Sequence, residues 1–324
     1  MRQRLFICVV VMAITMFSAC SSTSQGVRPA PLGKSSSSSA LQATINKPGP
    51  LVVEKLLAAT WVVDRAGLIN LDHARAREAG LTAGDEAIEI YFYRVSHPQF
   101  GTYIIDSGVA ESFAEPDSNA DVSWLIKKAM NTPDLELQLS TADWLDDTRI
   151  QLDGVFLTHL HMDHIMGLTD VPSGVAVYAG PGETSVRSFQ NAFTQGTTDR
   201  LLKNVDNLLE WQFSADPDGE FAGVIDIFGD GSLWAIHVPG HTPGSTAFVA
   251  RTSTGPQLIT GDASHTAWGW EHGVEPGEFS VDQARSARSL AALKVLAAAN
   301  PGMAVHPGHQ SLQTGSAIAS APAR

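Results

Sequence analysis

Phe156-Leu157-Thr158-His159-Leu160-His161-Met162-Asp163-His164 runs an apolar, strand-like stretch straight into three histidines and an aspartate within six residues. Side chains two apart share one face of an extended chain, so His159 and His161 can point the same way where the strand ends. Neutral imidazoles at that spacing suit zinc or another borderline divalent ion, and the adjoining Asp163-His164 pair suits a second ion beside it. Two hydrolytic ions need further ligands, and candidates stand at later strand ends. His241 follows one in Val238-Pro239-Gly240-His241-Thr242-Pro243-Gly244-Ser245; Asp262 and His265 follow another in Ile259-Thr260-Gly261-Asp262-Ala263-Ser264-His265. A third strand end, Val305-His306-Pro307-Gly308-His309, offers His309, with His306 its competitor. Each piece alone reads as a turn, but together and in this order they read as one site.

Around these pieces, strand-like runs alternate with helical stretches, which predicts an α/β fold with sheets covered by helices. Strands are expected at Ala87–Val95, Gly101–Ile105, Gly154–Thr158, Gly174–Tyr178, Val224–Phe228, Leu233–Val238, Thr246–Ala250 and Gln257–Thr260. Helices are expected at Leu51–Ala58, Ala120–Met130, Val186–Thr194 and Asp282–Ala299. In the last, Ser280 and Gln283 read as a capping box, Leu290, Leu293 and Leu296 recur at helical spacing, and Asn300-Pro301-Gly302 stops the run.

The 324 residues are 44% hydrophobic and 17% charged, with a net charge of −13. That is too apolar for a disordered chain, and the acidic balance argues against nucleic acid as a partner. Both cysteines, Cys8 and Cys20, lie in the first twenty residues, so the body offers neither a thiolate ligand nor a cysteine nucleophile.

Arg2 and Arg4 precede an apolar run from Leu5 to Phe17, which ends in Phe17-Ser18-Ala19-Cys20. The run is short for a bilayer span, and its end resembles a bacterial lipobox, where cleavage before the cysteine is coupled to acylation. Residues 1–19 are therefore expected to be a lipoprotein signal peptide, with a lipid on Cys20 holding an exported protein at a membrane. Residues 20–50, with serines at 35–39 among Pro and Gly, are expected to be a tether; 51–315 the hydrolase domain; and 316–324 a tail.

The ordered set of histidines and aspartates resembles the metallo-β-lactamase superfamily, whose pattern is His-x-His-x-Asp-His followed by a His, an Asp and a last His. The resemblance runs from about Ala87 to Gln310 and implies an αββα sandwich with its site at one edge between two sheets. It also implies His159, His161 and His241 as ligands of a first metal, Asp163, His164 and His309 as ligands of a second, and Asp262 as the bridge. Asp106, in Tyr103-Ile104-Ile105-Asp106-Ser107-Gly108, is then a turn-stabilising or supporting residue rather than a ligand.

The best-known class B lactamases have a cysteine where this chain has Asp262, which demotes antibiotic hydrolysis. Within the superfamily, the loops around His241 and Asp262 are most similar to N-acyl homoserine lactone lactonases. Those enzymes commonly place a tyrosine three residues after the bridging aspartate to contact the substrate carbonyl; here that place is His265. The expected activity is hydrolysis of a small lactone or carboxylic ester by two divalent ions, with zinc first and manganese, iron or cobalt as alternatives. Asp163 would relay the proton and His265 would contact the carbonyl or leaving group. Phosphoester or organophosphate hydrolysis, glyoxalase II-like thioester hydrolysis and a non-catalytic metal-binding lipoprotein are the competing readings. Trp268 and Trp270 are either a pocket wall for an acyl chain or core.

Overall fold

The computed structural model describes residues 20–115, 119–188 and 191–312, so the expected signal peptide and the 316–324 tail lie outside the described residues. Its strands are β1 (Cys20–Ser21), β2 (Val27–Pro29), β3 (Lys34–Ser35), β4 (Val52–Asp64), β5 (Asp85–His97), β6 (Gly101–Ile105), β7 (Glu136–Leu137) and β8 (Gly154–Phe156). They continue with β9 (Ala176–Ala179), β10 (Arg187–Ser188), β11 (Leu208–Glu210), β12 (Gly223–Asp226), β13 (Leu233–His237), β14 (Thr246–Thr252), β15 (Gly255–Ile259) and β16 (Ala304–His306).

One sheet runs β2-β11-β9-β8-β6-β5-β4-β7 and the second β16-β15-β14-β13-β12-β3; β1 and β10 pair apart from both. Tyr91, Tyr93, Phe156, Phe248 and Ile259 fill the layer between the sheets. The outer face of the first sheet buries Ile90, Phe92, Val155, Leu168 and Leu201, and the second packs Val249 and Leu258 on Leu290, Leu293 and Leu296 of the Gln283–Ala299 helix. Apolar faces on both sides of both sheets give the four layers of an αββα sandwich.

Four expectations need correction. Leu51–Ala58 is not a helix: its Leu and Ala run belongs to β4, which pairs antiparallel with β5, and a register shift between Leu57 and Ala59 lets Ala58 and Ala59 both be buried. Pairing along β5 overrides the helical propensity of Leu and Ala. The expected helix at Val186–Thr194 is instead β10 followed by a helix at Asn191–Leu201. The capping box is also misplaced, because Asp282 is the N-cap, accepting from Arg285 N at 2.9 Å.

The fourth concerns residues 20–50, which are folded rather than a tether. β2 and β3 close one edge of each sheet, and a helix at Ser38–Thr44 buries Leu41, with Ile45 buried just beyond it. The serines find specific partners: Ser37 caps that helix, while Ser38 N and Ser39 N donate to Asp216 and Asp218.

Candidate metal centre

β8 lies inside the first sheet and ends at Phe156, so the chain leaves it at the rim of the sandwich carrying His159, His161, Asp163 and His164. The turn between β13 and β14 brings His241 to the same rim, the end of β15 brings Asp262, and the end of β16 brings His309. Open α/β sheets place chemistry at such strand ends because loops there can converge without disturbing the ladder.

The seven side chains form two groups that share Asp262: His159, His161, His241 and Asp262, then Asp163, His164, Asp262 and His309. In the first, His241 Nε2 lies 3.1 Å from His159 Nε2, 2.8 Å from His161 Nδ1 and 3.3 Å from Asp262 Oδ2. In the second, His309 Nε2 lies 3.2 Å from Asp163 Oδ2 and 3.3 Å from Asp262 Oδ1, and His164 Nε2 lies 3.4 Å from Asp262 Oδ2. Ligands held about 2.0 Å from a tetrahedral ion stand about 3.3 Å from one another, so these spacings fit divalent ions. His164 Nε2 and Asp262 Oδ1 are buried without a hydrogen-bond partner, the condition of a donor atom reserved for a cation.

The far sides of His164, His309 and His241 are held. His164 Nδ1 lies 2.8 Å from Asp106 Oδ2, and Asp106 Oδ1 accepts from Thr158 N at 2.8 Å. His309 Nδ1 donates to the Glu89 carbonyl at 3.1 Å, and His241 Nδ1 lies 3.4 Å from Ser280 Oγ. Such partners fix the ring orientation and leave the inner nitrogen free for metal. Asp106 does this from a left-handed turn, φ 57°, a conformation that aspartate tolerates better than most residues.

The two groups differ electrostatically. Burial pushes His159 and His241 well below the ordinary histidine range, with neighbouring imidazoles adding to it, and burial also lowers His161. Burial opposes charge on His164 and His309 too, but carboxylates outweigh it. Asp106 and Asp262 hold His164 well above its usual value, and Asp262 and Asp163 push His309 up to about 10. Asp262 is held well below the carboxylate range, against burial, by His265, His309 and His164.

The family model described as the metallo-beta-lactamase superfamily matches residues 90–309. The chain belongs to the metallo-beta-lactamase superfamily. A relative in sequence, the N-acyl homoserine lactonase AttM of Azorhizobium caulinodans, is 30% identical over 236 residues, covering 69% of this chain and 83% of AttM. Two solved structures share the metallo-beta-lactamase fold. An AiiA variant of B. thuringiensis with N-decanoyl-L-homoserine at its active site is 16% identical with a TM-score of 0.56, covering 81% of this chain and 94% of AiiA. A probable metal-dependent hydrolase from Staphylococcus aureus is 14% identical with a TM-score of 0.60, covering 82% and 91%.

The metallo-beta-lactamase site gathers every expected ligand and one further histidine. His265 is buried, its Nδ1 donating to the Leu68 carbonyl at 3.0 Å and its Nε2 lying 3.0 Å from Asp262 Oδ2. His306 is not brought in: its ring packs 5.7 Å from Tyr93, and its Nε2 is 3.3 Å from Gln257 Oε1. Trp270 is core, and Trp268 stacks on His272 at 4.3 Å.

Glu183 is a residue the motif reading does not single out. Fully buried just after β9, it accepts from Leu160 N and Gly244 N, both at 2.8 Å, and from Thr242 Oγ1. One carboxylate thus ties the His159–His161 loop to the His241 loop. Its only sequence signal is a glutamate in Pro181-Gly182-Glu183-Thr184 at a strand end, which looks like an exposed turn.

Proposed function

We propose that this protein is an exported, membrane-tethered hydrolase that opens lactones, N-acyl homoserine lactones first, with a pair of divalent ions. The observation that carries the chemistry is the placement of Asp262, a buried carboxylate within reach of both ligand groups, its Oδ2 3.3 Å from His241 Nε2 and 3.4 Å from His164 Nε2 and its Oδ1 3.3 Å from His309 Nε2. The likeness to AttM lactonases supports the substrate class. Two such ions supply a hydroxide near neutral pH and polarise a carbonyl, so the chain needs no serine or cysteine nucleophile of its own.

The protein's residues then orient and transfer protons. Asp163, fixed by His309 and less buried than Asp262, is placed to take up the proton lost when water adds to the carbonyl and to hand it to the departing alkoxide. His265 Nε2 faces the same space from beside Asp262; with its Nδ1–H given to the Leu68 carbonyl, Nε2 donates to the carbonyl or leaving oxygen as the imidazolium form. Zinc fits the imidazole-rich set, and manganese, iron and cobalt accept the same ligands. Arg2, Arg4, the apolar run to Phe17 and Cys20 support export and acylation.

The test is a panel of homoserine lactones, aryl esters and phosphotriesters, assayed after chelation and after adding back Zn²⁺ or Mn²⁺. The expected result is metal-restored turnover with the highest kcat/KM on an N-acyl homoserine lactone. A protein with two bound ions that turned over only phosphotriesters, or nothing, would end this reading.

A further inference from the structure

We propose that the surface carrying Trp124, Leu125 and Phe193 rests in the headgroup layer of the membrane to which Cys20 is anchored, so that the enzyme lies flat on the bilayer in one orientation. This rests on the lipoprotein reading above. Trp124 is 74% exposed, Phe193 49% and Leu125 39%, although all three are large and apolar. They gather on two packed helices. Ser123 N donates to Thr197 Oγ1 at 3.4 Å, which seats the start of the Trp124–Ala129 helix on the Asn191–Leu201 helix, and Phe193 shares a face with Thr197 one turn away.

The first described residue, Cys20, lies just ahead of the helix that carries Phe193. Cys20 pairs with Ser188 and Ser21 with Arg187 in a strand pair just ahead of the Asn191–Leu201 helix. Gln195 Nε2 donates to Ser21 Oγ at 2.9 Å, Ser24 N donates to Asp199 Oδ1 at 2.8 Å, and Ser22 Oγ donates to the Glu183 carbonyl. Because residues 20–50 are folded, there is no slack between the acylated position and the globule. A lipid on Cys20 therefore brings the amino-terminal end of the Asn191–Leu201 helix, which carries Phe193, toward the bilayer.

Its chemistry matches an interface: Trp124 and Leu125 share their helix with Lys127 and Lys128, and Arg187 stands on the strand paired with Cys20 and Ser21, in a protein whose net charge is −13. The Asn191–Leu201 helix also packs on the Met162–Ile165 turn, which carries Asp163 and His164, so the site lies close to the proposed membrane plane.

The test uses the full chain, purified from bacterial membranes and reconstituted into phosphatidylethanolamine–phosphatidylglycerol vesicles doped with brominated phosphatidylcholine. Bromine should quench tryptophan emission, and Trp124→Phe should remove most of that quenching while the other six tryptophans stay bright. In Trp124→Ser/Phe193→Ser, turnover of a long-chain lactone delivered in vesicles should fall at least about fivefold, with a short soluble lactone unaffected. No quenching, or quenching indifferent to Trp124→Phe, overturns the docking surface. So does an equal loss on the long-chain lactone without vesicles, which would make the patch part of the substrate pocket. Mass spectrometry of the amino-terminal peptide reads acylation of Cys20 separately. Without acylation the tether reading fails, and the same quenching measured on protein added to vesicles still decides the patch.

Discussion

His265 Nε2 stands 3.0 Å from Asp262 Oδ2, and the opposite nitrogen of the same ring donates to the Leu68 carbonyl. The ring is thus clamped edge-on to His241, with centroids 4.8 Å apart, at the one carboxylate both ligand groups share. Replacing it by phenylalanine keeps the shape and removes the donor. We expect kcat to fall about 10- to 100-fold with KM little changed and two metals retained per chain. Steady-state kinetics with elemental analysis check this; an unchanged kcat assigns His265 to packing.

Asp106→Asn isolates a charge. Asparagine keeps the size and accepts the left-handed φ of 57°, but it gives His164 no anion to lean on. The expected outcome is about 10- to 100-fold weaker metal binding, with the far-ultraviolet circular dichroism unaltered. Competition against a chromophoric chelator measures it, and wild-type affinity would remove Asp106 from the support of the second group.

Gly308 is a glycine because of Asp262. A Cβ built there would sit 2.3 Å from Asp262 Oδ1, an atom that cannot move without leaving its ligand place. Gly308→Ala is expected to lower turnover by about 100-fold or more and to lose at least one metal. Gly302→Ala, where a Cβ meets nothing within 4 Å, is the control that should leave both unchanged.

Stability should carry a histidine signature away from the metals. Burial, with Lys55 adding to it, pushes His306 down to about 4. As pH drops below the unfolded value near 6.5, the unfolded chain takes up a proton that the folded ring refuses until about 4. Stability is therefore full above about 6.5 and is lost as pH falls through that window, by about 2 kcal/mol after allowing for the partial solvation of the ring. Urea unfolding of wild type and His306→Gln at pH 7 and pH 4.5 checks the sign: the variant should lose less.

The residues that converge in the two groups were legible in the sequence because histidines and aspartates at apolar strand ends have few structural uses, and their order along the chain added what each alone lacked. Strands such as Gly101–Ile105 were legible for a related reason, being short apolar runs bounded by turns. What stayed hidden depends on partners distant in sequence. The Leu and Ala of β4 favour a helix locally and become a strand only because β5 supplies twelve paired positions. The serines at 35–39 look like a linker until Asp216 and Asp218, nearly 180 residues away, accept their backbone hydrogens. Glu183 is invisible for the same reason, since its three donors come from two separate loops.

The chain passes from the first sheet to the second between Glu210 and Gly223, with four ligands before that crossing and three after it. Neither part alone can complete a coordination sphere for either ion. Cleaved within that crossing, the two fragments should rejoin more tightly when metal is supplied, with the ions acting as a rivet added to the apolar layer between the sheets and to the β3–β12 pairing.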